Sequence, residues 1–331
     1  MSFSAISVLP KAGESLKMTG AFKINGIRLN KKFIQVTQED FPDLSHPALY
    51  KVLESGKVNM VCMIFNTLGK RSFVSGTLAS KHFGQVINRN SHWQCLPHVC
   101  TLSVFPHRYS LEFLGALLDM LGTNQQPFHY MVSSHSMLTF VAEEDHVPGL
   151  IHMLSTGFDL PGSHAPFEQE ENDELALFIK KKYPETRATY VEERIKTYGM
   201  TLARDLNLNG YELSFKDLPG FGQKFRQEGE GGRFSHVTAF MTPDRRISLF
   251  LLTGETGSDS CSDSRPAELL SFYGPHFGDR YGIMGRAMDC LSRHGVPVLQ
   301  AGCTGASIAV VLPKGRGETA EQALKEVFEN P

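Results

Sequence analysis

The stretch FPHRYSLEF at 105–113 recurs far downstream as FGDRYGIMG at 277–285: an Arg-Tyr pair, a small residue, then Leu or Ile opening an amphipathic run. The likeness continues past the run. Leu121, Pro127, Ser133 and Ser134 match Leu291, Pro297, Cys303 and Thr304 at a constant offset of 170, and the alternation MLTFVA (137–142) stands against SIAVVL (307–312). Each copy reads as strand (CTLSVF; LLSFY), loop with Arg-Tyr, helix (LEFLGALLDML; IMGRAMDCL), strand, turn, strand and helix (DHVPGLIHMLS; ETAEQALKEVF). Apolar spacing of three and four residues marks the helices, and a two-residue period marks the strands.

This order is the β-α-β-β-α core of a ferredoxin-like unit. A second pair repeats between these units. FIQVTQEDFPDL (33–44) aligns without gaps on GYELSFKDLPGF (210–221), so Asp-x-Pro recurs at Asp40–Pro42 and Asp217–Pro219. An Asp before Pro suits a helix start, because the carboxylate accepts an orphan amide and Pro has none to waste. The chain thus reads as α+β, four ferredoxin-like (βαββαβ) units arranged as two tandem pairs: 17–97, 98–158, 186–253 and 266–331. Residues 159–185 read as the connection, Pro-rich then acidic, with a short helix in ELALFIKKKYP. RATYVEERIKTYG reads as a strand leading into the second half, and 254–266 as a polar, turn-rich mobile segment.

Composition narrows the function. At 331 residues, with 41% apolar and 21% charged residues, the chain is long enough for several buried cores and has the make-up of a globular protein. A net charge of -2, with Lys and Arg scattered, gives no footprint for nucleic acid. The first residues lack a basic head followed by an apolar run, and no stretch approaches the about 18 apolar residues of a membrane span. The expectation is a cytoplasmic protein without membrane or nucleic-acid partners. Its six cysteines read as reduced, mostly buried thiols.

Paired unlike ferredoxin-type units, a helix start at Asp-Leu-Pro-Gly (217–220) and a Ser-rich strand pair after the Arg-Tyr helix resemble ACT domains, most closely the tandem ACT regulatory region of aspartate kinases. DFPDLSHPAL departs from the pattern by lacking the Gly. The resemblance implies a regulatory region without its kinase domain: not an enzyme, with no cofactor, binding a small amino-acid effector. It also implies a homodimer or a regulated enzyme as partner. Effector residues carried over from the family fall on His107, Arg108, Tyr109, Ser110 and Leu111 facing Ser133 and Ser134, and on Asp279, Arg280, Tyr281, Gly282 and Ile283 facing Cys303 and Thr304.

The residues support that placement on their own chemistry. A helix start offers free amides and the positive end of its dipole to a carboxylate, hydroxyls line the facing strand, and arginine adds bidentate contacts. Two rival readings stay open: an activity in a cleft between halves using His107, Arg108, Asp279 and Arg280, and a scaffold in which the Arg-Tyr pairs only pack. HWQCLPHVC (92–100) brings His92, Cys95, His98 and Cys100 close, but the spacing fits no common zinc finger and runs into a strand, so no metal is expected. GEGGRF (229–234) precedes a strand instead of opening a helix and reads as a flexible turn.

Overall fold

The computed structural model describes residues 22–39, 48–67, 72–84, 93–162, 167–168, 194–228, 231–242, 244–254, 261–275, 277, 281–304 and 307–329. The first half contains β1 (Gly26–Glu39), α1 (Leu49–Ser55), β2 (Cys62–Asn66), β3 (Phe73–Ala79), β4 (Gln94–Phe105), α2 (Leu111–Thr123), β5 (Tyr130–Ser133), β6 (Leu138–Glu143), α3 (Val147–Gly157) and β7 (Phe167–Glu168). The second contains β8 (Ile195–Lys196), β9 (Gly199–Ser214), α4 (Leu218–Glu228), β10 (Phe234–Met241), β11 (Arg246–Thr253), β12 (Asp263–Tyr273), α5 (Ile283–Arg293), β13 (Gln300–Thr304), β14 (Ser307–Pro313), α6 (Gly317–Leu324) and β15 (Phe328–Glu329). The architecture is mixed α/β with a mostly antiparallel sheet. Among the described residues no helix is long and apolar enough to cross a membrane.

The sheet closes on itself. Its hydrogen-bonded neighbours run β1-β3-β2-β13-β14-β12-β9-β11-β10-β5-β6-β4 and return to β1, with β7 added beside Arg28 and Leu29. Two joints link the halves: β2 pairs β13, and β5 pairs β10. Strands β1 and β4 pair with each other while their later portions also pair β3 and β6; β9 and β12 do the same with β11 and β14. Each long strand therefore works in two adjoining parts of the sheet.

That double service needs a change of face. A strand whose side chains alternate can present apolar residues to two different helix layers only if one residue is slipped. In β1, Ile27 and Leu29 join the core under α2, α3 and α4, whereas Ile34 and Val36 join the core under α1, α5 and α6. The slip lies between Asn30 and Phe33, where Lys32 takes a left-handed φ of 67°. β4 switches around His98 (φ 55°) and β9 around Asp205 (φ 55°), each with its apolar residues divided between the same two cores.

Helices thus cover two outer faces, and a third interior lies between the sheet layers. Cys62, Ile64, Phe73, Val99, Tyr130, Val132 and Val141 pack there, laced by hydrogen bonds between layers. The Tyr130 hydroxyl meets Thr77 Oγ1, and Thr238 Oγ1 donates to Gln300 Oε1 at 3.1 Å. The outer helices cross at very close range where glycines meet. A Cβ on Gly115 of α2 would lie 2.5 Å from the Gly222 carbonyl oxygen of α4, and a Cβ on Gly222 would collide with the Gly115 carbonyl in turn.

Some expectations need correction. The connection expected at 159–185 contributes β7 to the sheet, and the segment expected to be mobile at 254–266 is already strand from Asp263. The expected boundary at 97/98 falls inside the continuous strand β4, beside the kink at His98. Asp217 does not cap its helix amides; its carboxylate turns back to accept from the Ser214 amide and hydroxyl at 2.8 and 2.7 Å. Asp40, Pro42 and ELALFIKKKYP lie outside the described residues.

Candidate functional site

The first Arg-Tyr loop sits where β4 ends and α2 begins, facing the joint between β5 and β10. His107 is almost wholly buried, and both ring nitrogens are engaged. Nε2 donates to the Ser134 carbonyl at 2.9 Å, and Nδ1 accepts from the Tyr109 amide at 2.9 Å. Burial pushes the imidazole pKa down, and the Ser134 bond opposes this in part. A neutral ring with no free nitrogen clamps the loop to the end of β5 and is not poised as a general base.

Arg108 and Tyr109 are successive non-glycine residues in left-handed conformation, at φ 52° and 57°. This tight turn leaves Arg108 exposed and lays the Tyr109 ring against His107, Phe234 and His135. Burial raises the Tyr109 pKa, offset by the nearby Arg233 cation. Two guanidinium side chains, Arg108 and Arg233, are thus exposed around one helix start.

The helix amides are less available than their position suggests. Ser110 caps α2 by accepting the Phe113 amide at 3.2 Å, and the Leu111 amide donates to the Gly232 carbonyl at 3.1 Å. The Phe234 amide donates to the Tyr109 carbonyl at 2.9 Å. The loop of one half is therefore stitched to the strand start of the other. In the described part of GEGGRF, Gly231 turns with a left-handed φ of 81°, and Gly232 to Phe234 dock on the first loop, which the sequence did not announce.

Ser133 is also committed, not a free hydroxyl. Its Oγ accepts the Val237 amide at 3.0 Å and donates to His236 Nδ1 at 3.0 Å. Ser134 turns back on Met137, its amide donating to the Met137 carbonyl at 2.8 Å. His236 is 3% exposed, and burial, with His107 adding a little, holds its pKa down to about 4.

Of the second loop only Tyr281 to Ile283 are described, and β13, which carries Cys303 and Thr304, pairs β2. Asp279 and Arg280 lie outside the described residues. Tyr281 is exposed, Gly282 takes φ 80° before α5, and Ile283 is buried in the core. Glu54 of α1 lies against this turn: a Cβ on Gly282 would come 2.9 Å from its Cγ. Burial first, then Asp289, raises the Glu54 carboxyl pKa, against Arg286 and Lys51. Cys303 is half-buried against the helix core, while Thr304 is buried and its Oγ1 has no hydrogen-bond partner among the described residues.

A chain of rings joins the first loop to the end of β12. Tyr109 meets His135, His135 stacks on Tyr273 with ring centroids 5.8 Å apart, and Tyr273, the last residue of β12, leads into the second loop. Sequence reasoning brought His107 to Leu111 together with Ser133 and Ser134. It missed Gly232, Arg233, Phe234 and His236, whose only local signal is a Gly-rich turn running into a strand. Of the HWQCLPHVC cluster, His98 is exposed on the β4 kink, Cys95 is half-buried, Cys100 is buried, and His92 is outside the described residues.

No family model matches the chain, and no curated protein sequence matches it. Among solved structures it resembles the aspartate kinase from Synechocystis, with a TM-score of 0.69 and 12% identity over 98% of this chain and 60% of that one. The ligand-free regulatory subunit of aspartate kinase from Thermus thermophilus matches 41% of this chain and 99% of its own, at 10% identity and a TM-score of 0.37. The aspartokinase alpha and beta subunits match 40% of this chain and 95% of theirs, at 15% identity and 0.35. The chain thus spans about 60% of the Synechocystis kinase chain, and the likeness is one of fold. It corrects the expectation of a non-enzyme: the fold followed over 98% of this chain belongs to an aspartate kinase.

Proposed function

We propose that the chain is an amino-acid-responsive regulatory region of an aspartate-kinase-like protein, built of four ACT-type βαββαβ units in two tandem pairs. In this reading one effector position lies at His107–Leu111 against Ser133 and Ser134, with Arg233 added from the other half. The other lies at Asp279–Ile283 against Cys303 and Thr304. The observation that carries the reading is the double backbone stitch between Tyr109–Leu111 and Gly232–Phe234, which makes the loop next to the exposed Arg108 part of the joint between halves. An α-carboxylate at Arg108 and Arg233 would bear on both sides of that joint at once.

The mechanism is linkage. A ligand favours whichever arrangement of the β5–β10 joint it binds more tightly, and by no more than that difference in affinity. The closed sheet passes the change to the β2–β13 joint and on to the activity under control.

Thermal shift of the whole chain against each of the twenty amino acids tests this. One or a few should raise the melting temperature in a concentration-dependent way. Arg108→Ala and Arg280→Ala, made separately, should each weaken the effective amino acid by about tenfold where its carboxylate is held. No shift with any amino acid at millimolar concentration refutes the reading.

A further inference from the structure

We infer that Cys290, His294 and Glu326 form a zinc-binding site on the outer face of the second half, where the end of α5 meets the turn after α6. The Cys290 sulfur, a His294 ring nitrogen and a Glu326 carboxylate oxygen all lie within 4.8 Å of one another. Among the described residues no other three His, Cys, Asp or Glu donors come together so closely. The cluster shares no residue with the Arg-Tyr loops or with HWQCLPHVC, so it stands or falls independently of the effector reading.

The backbone sets up the three donors. Cys290 and His294 stand one helical turn apart, and the His294 amide donates to the Cys290 carbonyl at 3.2 Å, so both side chains leave one face at the end of α5. Glu326 lies in the turn after α6, its amide donating to the Ala323 carbonyl at 3.1 Å. That carbonyl also accepts the Cys290 thiol at 3.1 Å. One peptide oxygen thus registers the sulfur against the carboxylate, and it keeps the Glu326 amide as a partner when the thiol proton leaves.

The polar ends already converge. His294 Nε2 and Glu326 Oε1 are 2.9 Å apart, while Arg293 Nη1 approaches the other carboxylate oxygen, Oε2, at 3.7 Å. Arg293 therefore holds the carboxylate from outside and leaves Oε1 turned to the histidine. Zinc bonds of about 2.0–2.3 Å set tetrahedral donors about 3.3–3.6 Å apart. The nitrogen and oxygen need part by only about 0.4 Å, and the sulfur needs to close by at most about 1.2 Å. Cys290 is buried and His294 and Glu326 are exposed, which puts the sulfur at the floor and the other two donors at the rim.

Donor chemistry picks the ion. Thiolate, imidazole and carboxylate together suit zinc, whereas magnesium and calcium take oxygen donors. Burial, and then the Glu326 carboxylate, raises the Cys290 pKa against Arg293, so the free thiol keeps its proton at neutral pH. Zn2+ takes the place of that proton, which goes to solvent, and His294 coordinates through Nε2 with its own proton on Nδ1. Thiolate and carboxylate then balance the two charges of the ion, and water takes the fourth position. Bound there, the ion ties α5 to the turn after α6, over the core that both helices cover.

Titration of the full chain, reduced and metal-free, with Co2+ tests the site, because a thiolate on cobalt gives a sulfur-to-metal charge-transfer band in the near ultraviolet. The band should saturate at one equivalent, be displaced by Zn2+ and be absent with Cys290→Ser. His294→Ala and Glu326→Gln, exposed changes that need no repacking, should each weaken zinc at least about tenfold in competition with a chromophoric chelator. Zinc, and not magnesium, should raise the melting temperature of the wild type. No cobalt band, a band that survives Cys290→Ser, or zinc affinity unchanged by both His294→Ala and Glu326→Gln overturns the inference.

Discussion

Acid should destabilise this protein through one buried histidine. His236 is 3% exposed on β10, its Nδ1 accepting from Ser133 Oγ. Its Nε2 faces Gly302 of the opposite layer and has no partner among the described residues. A charge on this ring would be desolvated, and a proton on His107 would oppose it further. The pKa falls from 6.5 to about 4, so above pH 6.5 neither the folded nor the unfolded chain holds this proton. Below that, the unfolded chain takes up a proton that the fold refuses, and stability is lost progressively down to about pH 4. At pH 4.5 the unfolded pKa of 6.5 lies about two units above the solution pH and the folded value of about 4 lies below it, so the loss is roughly 2.7 kcal/mol at 1.36 kcal/mol per unit. Urea midpoints of wild type and His236→Asn, which keeps an acceptor near Nδ1, should be measured at pH 7.5 and 4.5. His107 and His129 are lowered too and contribute to both proteins, so the difference isolates His236. Wild type should lose its advantage over the variant by about 2–3 kcal/mol between the two pH values. A constant difference, or an imidazole midpoint near 6.5 by NMR, refutes the reasoning.

Three further outcomes follow from the packing. Gly115→Ala should cost about 3 kcal/mol in chemical denaturation, the upper end for overpacking, because the new methyl meets the Gly222 backbone, which has nowhere to yield. Tyr130→Phe should cost about 1–3 kcal/mol by the same assay, since it strands the buried Thr77 hydroxyl between the layers. Lys32→Gly should stabilise by about 0.5 kcal/mol, because its exposed side chain gains nothing from the left-handed φ of 67° that a glycine adopts freely; a loss of stability would show that the side chain itself holds the kink.

Much of the secondary structure was written locally. Helices at 111–123 and 283–293 and the strand pairs after them follow from apolar spacing, whereas Ser110, read as an effector residue, turns out to cap its helix. The face switch was not legible, because the residues that carry it, Lys32, His98 and Asp205, are charged or polar, with none of the glycine that usually marks a left-handed position. Nor was the far wall of the site: Arg233 and Phe234 reach Tyr109 and Ser110 only through the β5–β10 pairing, a contact between residues more than a hundred positions apart. Ser133 was read as a free hydroxyl because its partners, His236 and Val237, belong to that same distant strand. The likeness of the two Arg-Tyr stretches was plain in sequence, whereas the ring contact that joins His135, beside the first, to Tyr273 at the end of β12 was not.

Closure of the sheet bears on how the protein would behave if divided. A chain severed between residues 162 and 194 yields two fragments, one bearing the bare edges of β2 and β5, the other those of β13 and β10. Each edge has lost its designated mate, and the mates are all on the opposite fragment. Two such pieces made apart should be poorly behaved singly and complementary together, locking at two seams in a single register. The same geometry makes the intact molecule a clasp fastened twice: opening either seam leaves the other to hold the halves within reach, so transient opening need not become separation.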